Sequence, residues 1–235
     1  MSRILITGAT GGIGSKIVEA LAQEGVEFFL QYLNEEKRKE KEEEFKKLFS
    51  NQVTFLKADL TDEAETNKMT DKILEAGGAD IIVHSVSLPL SRKELIEKDW
   101  NDFEKNIILQ AKSLFLMTKR LVPIMKQKKE GRIISIVSEA AVGKPPVGLS
   151  DYVVAKYALF GLSNCLASEY GRFNIRCNSI SPGFIETDLT KDFPARFKEL
   201  AKGTTAEEVA ALVKSLCFED KFVNGENILL NAARK

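Results

Sequence analysis

Tyr152 and Lys156 are the side chains of this sequence best arranged for proton transfer, because they stand four residues apart in a segment with a helical pattern. Residues at that spacing project from one face of a helix, about one turn apart. A free phenol has a pKa of about 10, and each unit of lowering stabilises the phenolate by about 1.4 kcal/mol. We therefore expect the Lys156 ammonium to lower the pKa of Tyr152 and make the phenol an effective proton donor near neutral pH.

Ser138 adds a hydroxyl group to this pair. It follows the apolar run 132–137, which is typical of a buried strand. At the end of a strand it could donate a hydrogen bond to a substrate carbonyl oxygen. Each feature also has an ordinary structural explanation, since Tyr–Lys pairs occur on helix surfaces and serines form caps and turns. Together the three residues suggest a candidate group for chemistry at a carbonyl.

A glycine-rich segment directly follows the first predicted strand and precedes a helical pattern that begins at Ser15. Glycines permit a tight turn and let backbone N–H groups approach a pyrophosphate, which the helix N-terminus also attracts. The segment therefore predicts a dinucleotide site. Its candidate residues are Gly8, Thr10, Gly11, Gly12, Ile13 and Gly14. The glycines fit both GxxxGxG and GxxGxxG, so the loop alone leaves the subfamily open.

Asp59 and Leu60 come directly after the third predicted strand. Ligands of open α/β sheets bind at the carboxyl ends of the strands, so Asp59 could accept a hydrogen bond from an adenine amino group. An aspartate here would also suit the N-cap of the following helix. Both interpretations remain open at this point.

Short apolar runs alternate with helical patterns along the whole chain. The predicted strands are 3–6, 27–32, 53–57, 80–84, 132–137, 175–179 and 228–230, and the main helical patterns are 15–24, 62–76, 99–126 and 152–170. The charged run 35–47 has alternating signs at helical spacing, which favours a solvated helix. Strand–helix alternation predicts a doubly wound α/β Rossmann fold, with a seven-stranded parallel sheet flanked by helices on both faces. At 235 residues the chain is expected to form a single domain, 1–235.

Composition narrows the classes of partner and site. The chain has 34 basic and 34 acidic residues, so its formal net charge is zero and nucleic acid is not an expected partner. No apolar run approaches the length of a membrane span or a signal peptide, so we expect a cytoplasmic protein without a membrane partner. Three cysteines without a CxxC pair and a single histidine, His84, predict no metal site.

Taken together, the motifs resemble those of the short-chain dehydrogenase/reductase family. They are the loop 7–14, Asp59-Leu60, Ser138, Tyr152-Val153-Val154-Ala155-Lys156, Asn178-Ser179-Ile180-Ser181-Pro182-Gly183 with Thr187, and Asn224-Gly225. The resemblance implies that Tyr152 is the general acid, that Lys156 lowers its pKa and holds the nicotinamide ribose, and that Ser138 positions the carbonyl. It further implies that Pro182, Gly183, Ile185 and Thr187 flank the nicotinamide and the pyrophosphate.

The sequence departs from the family pattern at three places. His84-Ser85-Val86-Ser87 stands where the family usually has Asn-Asn-Ala-Gly, and Ser85 is the cofactor contact we expect there. The family's relay asparagine aligns with Gln110, which we favour, or with Asn106. The segment 190–203, expected to cover the substrate, is short and suggests an open site. His84 itself is expected to be a packing residue.

The resemblance and the residues beside the second strand bear on cofactor and substrate. The stretch 31–34 carries neither an acid nor a base, and Lys37 and Arg38 follow closely, so NADP(H) is favoured over NAD(H). The chain is most similar to 3-oxoacyl-(acyl carrier protein) reductases, which implies a small or carrier-bound carbonyl substrate and a homo-oligomer, usually a tetramer. The alternatives are a sugar, alcohol or ketone dehydrogenase, an enoyl reductase, which the Tyr–Lys spacing disfavours, and a non-catalytic dinucleotide sensor.

Overall fold

The strands of the computed structural model follow the predicted runs closely. The structure describes residues 2–22, 25–49, 53–143, 145–190, 193 and 204–231. Its strands are β1 (Ser2–Thr7), β2 (Val26–Tyr32), β3 (Val53–Lys57), β4 (Ile81–His84), β5 (Gly131–Ile136), β6 (Ile175–Pro182) and β7 (Asn227–Leu230). They form one parallel sheet in the order β3-β2-β1-β4-β5-β6-β7. The strand order reverses between β1 and β4, where doubly wound sheets bind ligands.

Helices cover both faces of this sheet. They are α1 (Gly12–Ala20), α2 (Glu35–Phe49), α3 (Glu63–Glu75), α4 (Trp100–Ile107), α5 (Ser113–Lys128), α6 (Ser150–Tyr170) and α7 (Ala206–Lys214). The predicted helix 99–126 is present, but a π-helical turn at Ile108–Lys112 separates α4 from α5. The doubly wound fold predicted from the sequence is therefore confirmed.

The core has two layers, one on each side of the sheet. Leu5 packs in one layer, whereas its neighbours Ile4 and Ile6 pack in the other. Successive side chains of a strand point to opposite faces, so a sheet buried on both faces needs unbroken apolar runs. Residues of α3, α5 and α6 contribute to the first layer, and residues of α1, α2 and α7 to the second. Within the described ranges, every helix is too short or too polar to cross a membrane.

Candidate active site

A cavity of about 1070 Å³ opens at the carboxyl edge of the sheet and brings the glycine loop and the catalytic candidates together. Of the predicted site residues, its wall contains Gly11, Gly12, Ile13, Gly14, Ser85, Ser138, Tyr152, Lys156, Pro182, Gly183, Ile185 and Thr187. Gly8, Thr10, Asp59, Leu60 and Gln110 lie outside that wall. Its volume is at the upper end of the roughly 300–1,000 Å³ typical of ligand pockets, which suits a dinucleotide together with a substrate.

The glycine loop packs so closely, at Gly14 against itself and at Gly8 against the segment after β4, that side chains are excluded at these two positions. Gly8 has φ +66°, and a Cβ atom there would lie 2.2 Å from the backbone oxygen of Ser85. A Cβ atom on Gly14 would lie 2.0 Å from the backbone oxygen of Gly8. The first turn of α1 therefore starts directly against the loop, which leaves its N-terminus available to a phosphate.

Gln31, which the sequence analysis did not single out, holds this loop to the sheet. Its Oε1 accepts from the Gly8 N–H at 2.7 Å, and its Nε2 donates to the backbone oxygen of Ala58 at 2.8 Å. The side chain is buried in β2. The sequence signal that could have identified Gln31 was an amide side chain within an apolar strand, since a buried amide needs hydrogen-bond partners.

The loop after β6 closes over the glycine loop. A Cβ atom on Gly12 would lie 2.8 Å from Cγ2 of Thr187, so that glycine allows the two segments to approach. The backbone of Thr187 is held in turn by Thr190, whose Oγ1 accepts from the Thr187 N–H at 2.9 Å and donates to the backbone oxygen of Ile185 at 2.7 Å. Beyond residue 190, the segment expected to cover the substrate lies outside the described residues except at position 193.

Lys156 is buried and donates to three acceptors of the chain. Its Nζ lies 2.7 Å from the backbone oxygen of Ile136, 2.9 Å from Oε1 of Gln110 and 3.5 Å from the backbone oxygen of Val86. Burial lowers the pKa of Lys156 to about 7. The ammonium and the free amine are therefore both populated near neutral pH, which suits a residue that relays protons.

Gln110, rather than Asn106, is the amide that contacts Lys156. The π-helical turn carries Gln110, whose Nε2 also donates to the backbone oxygen of Val86 at 2.8 Å. Asn106 instead donates to Oδ2 of Asp151 at 3.3 Å. The geometry thus favours the alignment with Gln110, which contacts two residues of the cavity wall, Lys156 and Val86.

Asp151, the residue directly before Tyr152, forms a buried ion pair with Lys98. Nζ of Lys98 lies 2.7 Å from Oδ1 of Asp151, and the side chains are 5% and 9% exposed. Lys98 also donates to the backbone oxygen of Ser91 at 3.0 Å. This pair ties the first turn of α6, which carries Tyr152, to the segment ahead of α4.

His84 is hydrogen-bonded to the backbone of the π-helical turn. Its Nε2 lies 3.1 Å from the backbone oxygen of Gln110, which can only accept, so Nε2 carries the proton. Nδ1 then accepts from the Thr7 hydroxyl at 2.9 Å. Burial, with the charge of Lys156, lowers the pKa of His84 to about 3, so the ring is neutral. His84 is therefore a hydrogen-bonded packing residue in this structure.

Tyr152 and Ser138 both lie at the wall of the cavity. Burial raises the pKa of the Tyr152 phenol, and the neighbouring Ser138 hydroxyl opposes that rise. Nζ of Lys156 is 5.8 Å from the centroid of the Tyr152 ring. The expected lowering of this pKa by Lys156 is therefore not found, because burial raises the pKa and Ser138 is the group that opposes the rise. A phenol with a raised pKa keeps its proton at neutral pH and can donate it.

Asp59 does not cap the following helix. Asp62 is the N-cap of α3, and its side chain accepts from the Glu65 N–H. Oδ1 of Asp59 accepts from the N–H of Thr61 at 2.8 Å and from its hydroxyl at 2.7 Å. The cap interpretation of Asp59 was wrong, because the chain makes one further turn before the helix starts.

Lys37 reaches the cavity, whereas Arg38 does not. Nζ of Lys37 lies 2.6 Å from Oδ2 of Asp188 across the cavity wall. Arg38 is paired with Glu35 and Glu42 on its own helix. Of the two bases favouring NADP(H), only Lys37 is therefore placed to meet a cofactor.

The buried Lys156 predicts a pH-dependent stability. Its pKa falls from 10.5 to about 7 on folding, so between these values the unfolded chain holds more protons at this residue. The stability it contributes is complete above pH 10.5 and is lost as the pH falls to about 7. We expect the wild-type free energy of unfolding, minus that of Lys156→Met, to rise by roughly 3 to 4 kcal/mol from pH 7 to pH 10. Urea unfolding at each pH measures it, and a difference that stays flat would contradict burial of the amine.

Known proteins resemble this chain in both sequence and fold. Residues 8–232 match a family model described as enoyl-(acyl carrier protein) reductase. The 3-oxoacyl-[acyl-carrier-protein] reductase of Aquifex aeolicus is 30% identical over 236 residues, which is 97% of this chain and 94% of that protein. The structure of L-sorbose reductase from Gluconobacter frateurii, complexed with NADPH and L-sorbose, is 26% identical with a TM-score of 0.88, covering 99% of this chain and 95% of that one. Levodione reductase has the same fold, with a TM-score of 0.88 at 23% identity over 98% of this chain and 96% of that one.

Proposed function

We propose, since this chain belongs to the short-chain dehydrogenase/reductase family, that it is an NAD(P)-dependent oxidoreductase which reduces a ketone, with NADPH as the preferred cofactor. The observation that supports this most directly is the presence of Ser138, Tyr152 and Lys156 in the same cavity as the glycine loop. A protein that only senses a dinucleotide would have no need of all three groups. We also propose that residues 1–235 form a single domain, which carries both the cofactor site and the substrate site.

Each of the catalytic candidates has a separate role in the proposed reduction. When bound, the nicotinamide supplies the hydride for the carbonyl carbon. Ser138 and Tyr152, which both line the cavity, hold the carbonyl oxygen, and Tyr152 donates its proton to that oxygen. Lys156, with a pKa of about 7, holds the ribose and returns a proton towards the phenol, positioned by Gln110.

The glycine loop fits a dinucleotide. Gly8, Gly12 and Gly14 are positions where an added Cβ atom would lie within 3 Å of a neighbouring atom, and Gly12 and Gly14 face the cavity. Backbone N–H groups and the N-terminus of α1 would bind the pyrophosphate there. Asp59, which lies outside the cavity wall, is proposed as an adenine contact at the far end of the site.

The first substrate candidate is a 3-oxoacyl thioester on an acyl carrier. It is favoured by the relative from Aquifex aeolicus, whose name is that of a 3-oxoacyl-[acyl-carrier-protein] reductase. The family model's description names enoyl reduction, but the four-residue spacing of Tyr152 and Lys156 is shorter than the spacing in enoyl reductases, so we favour a ketone.

The second candidate is a hydroxylated ketone of the sugar or polyol type. It is favoured by Glu139, a carboxylate in the cavity wall directly after Ser138, and by the similarity to L-sorbose reductase. Such a substrate carries hydroxyl groups around the reacting carbonyl, which suits a cavity wall that includes a carboxylate.

Spectrophotometric assay of NADPH and NADH oxidation tests the proposal. The substrates are an acetoacetyl thioester, a crotonyl thioester as an enoyl probe, and a small panel of ketones that includes L-sorbose. We expect oxidation of NADPH with at least one ketone and none with the crotonyl thioester. Consumption of neither cofactor with any ketone would contradict the proposed function, and turnover of only the crotonyl thioester would assign enoyl reduction instead.

Lys37 makes the cofactor preference testable. If its ammonium binds the 2′-phosphate, Lys37→Ala weakens NADPH binding by about tenfold and changes NADH binding little, because only NADPH carries that group. Lys46→Ala is the matched control, since Lys46 lies on the same helix, pairs with Glu42 and is outside the cavity wall. Dissociation constants come from cofactor fluorescence. Equal weakening of both cofactors would reject Lys37 as the selective residue.

A further inference from the structure

His84 is the single histidine of the chain and is completely buried at the carboxyl end of β4. In the sheet it pairs with Thr7 of β1 and with Ser135 of β5. The Thr7 hydroxyl accepts from the N–H of Ser85 at 3.2 Å and donates to Nδ1 of His84 at 2.9 Å. Nδ1 is thus an acceptor, so the proton of the neutral ring is held on Nε2.

The Nε2–H group of His84 faces the π-helical turn that carries Gln110. In this turn the N–H of Ser113 bonds to the backbone oxygen of Ile108, five residues earlier, so the turn is wider than that of an α-helix. Side chains bond two of its backbone oxygens. That of Leu109 accepts from the Ser113 hydroxyl at 2.5 Å, and that of Gln110 accepts from Nε2 of His84 at 3.1 Å. Because buried carbonyl groups need hydrogen-bond partners, these two side chains stabilise the wide turn.

The wide turn places the Gln110 side chain against Lys156. Oε1 of Gln110 accepts from Nζ of Lys156 at 2.9 Å. The amide of Gln110 and the amine of Lys156 also donate to the same backbone oxygen, that of Val86, at 2.8 and 3.5 Å. A turn that closed to regular α-helical geometry would rotate its residues by up to about 100°, the rotation per residue of an α-helix. The Gln110 amide would then leave Lys156.

We propose that His84 is a positioning residue for the reduction, because it holds the wide turn in the shape that places Gln110 against Lys156. This inference rests on the proposed function, which gives Lys156 its part in the return of the proton. His84 lies outside the cavity wall, so its effect on the reaction must pass through Gln110. It is therefore expected to affect the rate of the chemical step more than the binding of cofactor or substrate.

Three substitutions of His84 separate positioning from packing. His84→Gln keeps an amide N–H that can reach the turn, whereas the asparagine of His84→Asn is one methylene shorter and the leucine of His84→Leu has no donor. We expect kcat for ketone reduction to fall about tenfold in the Asn and Leu variants and to stay within about threefold of wild type in the Gln variant. KM for the ketone and the dissociation constant of NADPH are expected to change by less than about threefold.

A second substitution, Gln110→Leu, tests the route of this effect. If His84 acts through Gln110, the double variant His84→Leu/Gln110→Leu has the kcat of Gln110→Leu alone, within about twofold, because no further interaction is lost. Independent effects of the two substitutions would multiply instead. Multiplication would overturn the role of His84 as a positioning residue.

Thr70→Val is the control for the loss of a buried hydrogen bond. Thr70 is fully buried in α3, donates to the backbone oxygen of Thr66 at 2.7 Å and lies outside the cavity wall. We expect this variant to unfold at a lower temperature and to keep the wild-type kcat per folded molecule. Loss of stability and loss of turnover are thereby measured separately.

The geometry of His84 can also be tested without activity. A chain with one histidine gives one set of imidazole signals in 15N NMR. We expect the tautomer that is protonated on Nε2, since that nitrogen faces a carbonyl oxygen. A ring protonated on Nδ1 would overturn the proposal.

The kinetic outcomes separate the role of His84 from the proposed function. Wild-type kcat in His84→Leu would overturn that role and leave the proposed function standing. If His84→Leu does not fold, the comparison of the Gln and Asn variants decides, and equal kcat in these two would likewise overturn the role. Absence of turnover by the wild-type protein with every ketone would overturn the proposed function, and the role of His84 with it.

Discussion

Tyr152→Phe is expected to lower kcat for ketone reduction by at least about a hundredfold and to leave the dissociation constant of NADPH within about twofold. The substitution removes only the phenolic hydroxyl that donates the proton. The aromatic ring keeps its place on α6, where Asp151 and Lys98 hold the first turn. Steady-state kinetics and a fluorescence titration of NADPH measure the two quantities separately.

Tyr157→Phe is the matched control for this experiment. Tyr157 lies on the same helix, is 44% exposed and lies outside the cavity wall. Loss of its hydroxyl is expected to change neither quantity. If Tyr152→Phe kept wild-type turnover, or if both variants lost activity to the same degree, Tyr152 would not be the proton donor.

Gly14→Ala is expected to weaken NADPH binding by at least about a hundredfold or to prevent folding of the loop altogether. The added Cβ atom would lie 2.0 Å from the oxygen and 2.8 Å from the carbonyl carbon of Gly8. These are backbone atoms of a loop that Gln31 holds to the sheet, so neither side can move without breaking that anchor. NADPH titration and thermal unfolding give the binding and the stability.

Gly161→Ala separates this steric effect from the general cost of replacing a glycine. A Cβ atom on Gly161 would have open space around it, and the residue lies inside α6, where alanine is favoured over glycine by about 1 kcal/mol. We expect this variant to bind NADPH normally and to unfold at an equal or higher temperature. Binding by Gly14→Ala within threefold of wild type would show that the loop opens in solution.

The fold was predictable from the sequence because strands and helices are encoded in short stretches. Each predicted strand overlaps an observed one, from Ser2–Thr7 to Asn227–Leu230, since a sheet buried on both faces requires continuous apolar runs. The helix Ala206–Lys214 was not predicted, although its capping box of Thr205 and Glu208 was a usable signal. The glycine loop was also predictable, because its tight turn requires glycine at particular positions.

The positions of catalytic candidates along the chain were likewise determined by the sequence, but their environments were decided by tertiary structure. Gln110 meets Lys156 across 46 residues, and Glu139 meets Asn231 across 92, so no local pattern could choose Gln110 over Asn106 or find the contact between Glu139 and Asn231. The directions of the pKa shifts of Tyr152 and Lys156 follow from burial, which only packing establishes. Residue spacing is a property of one segment, whereas desolvation and side-chain contacts depend on how separate segments pack.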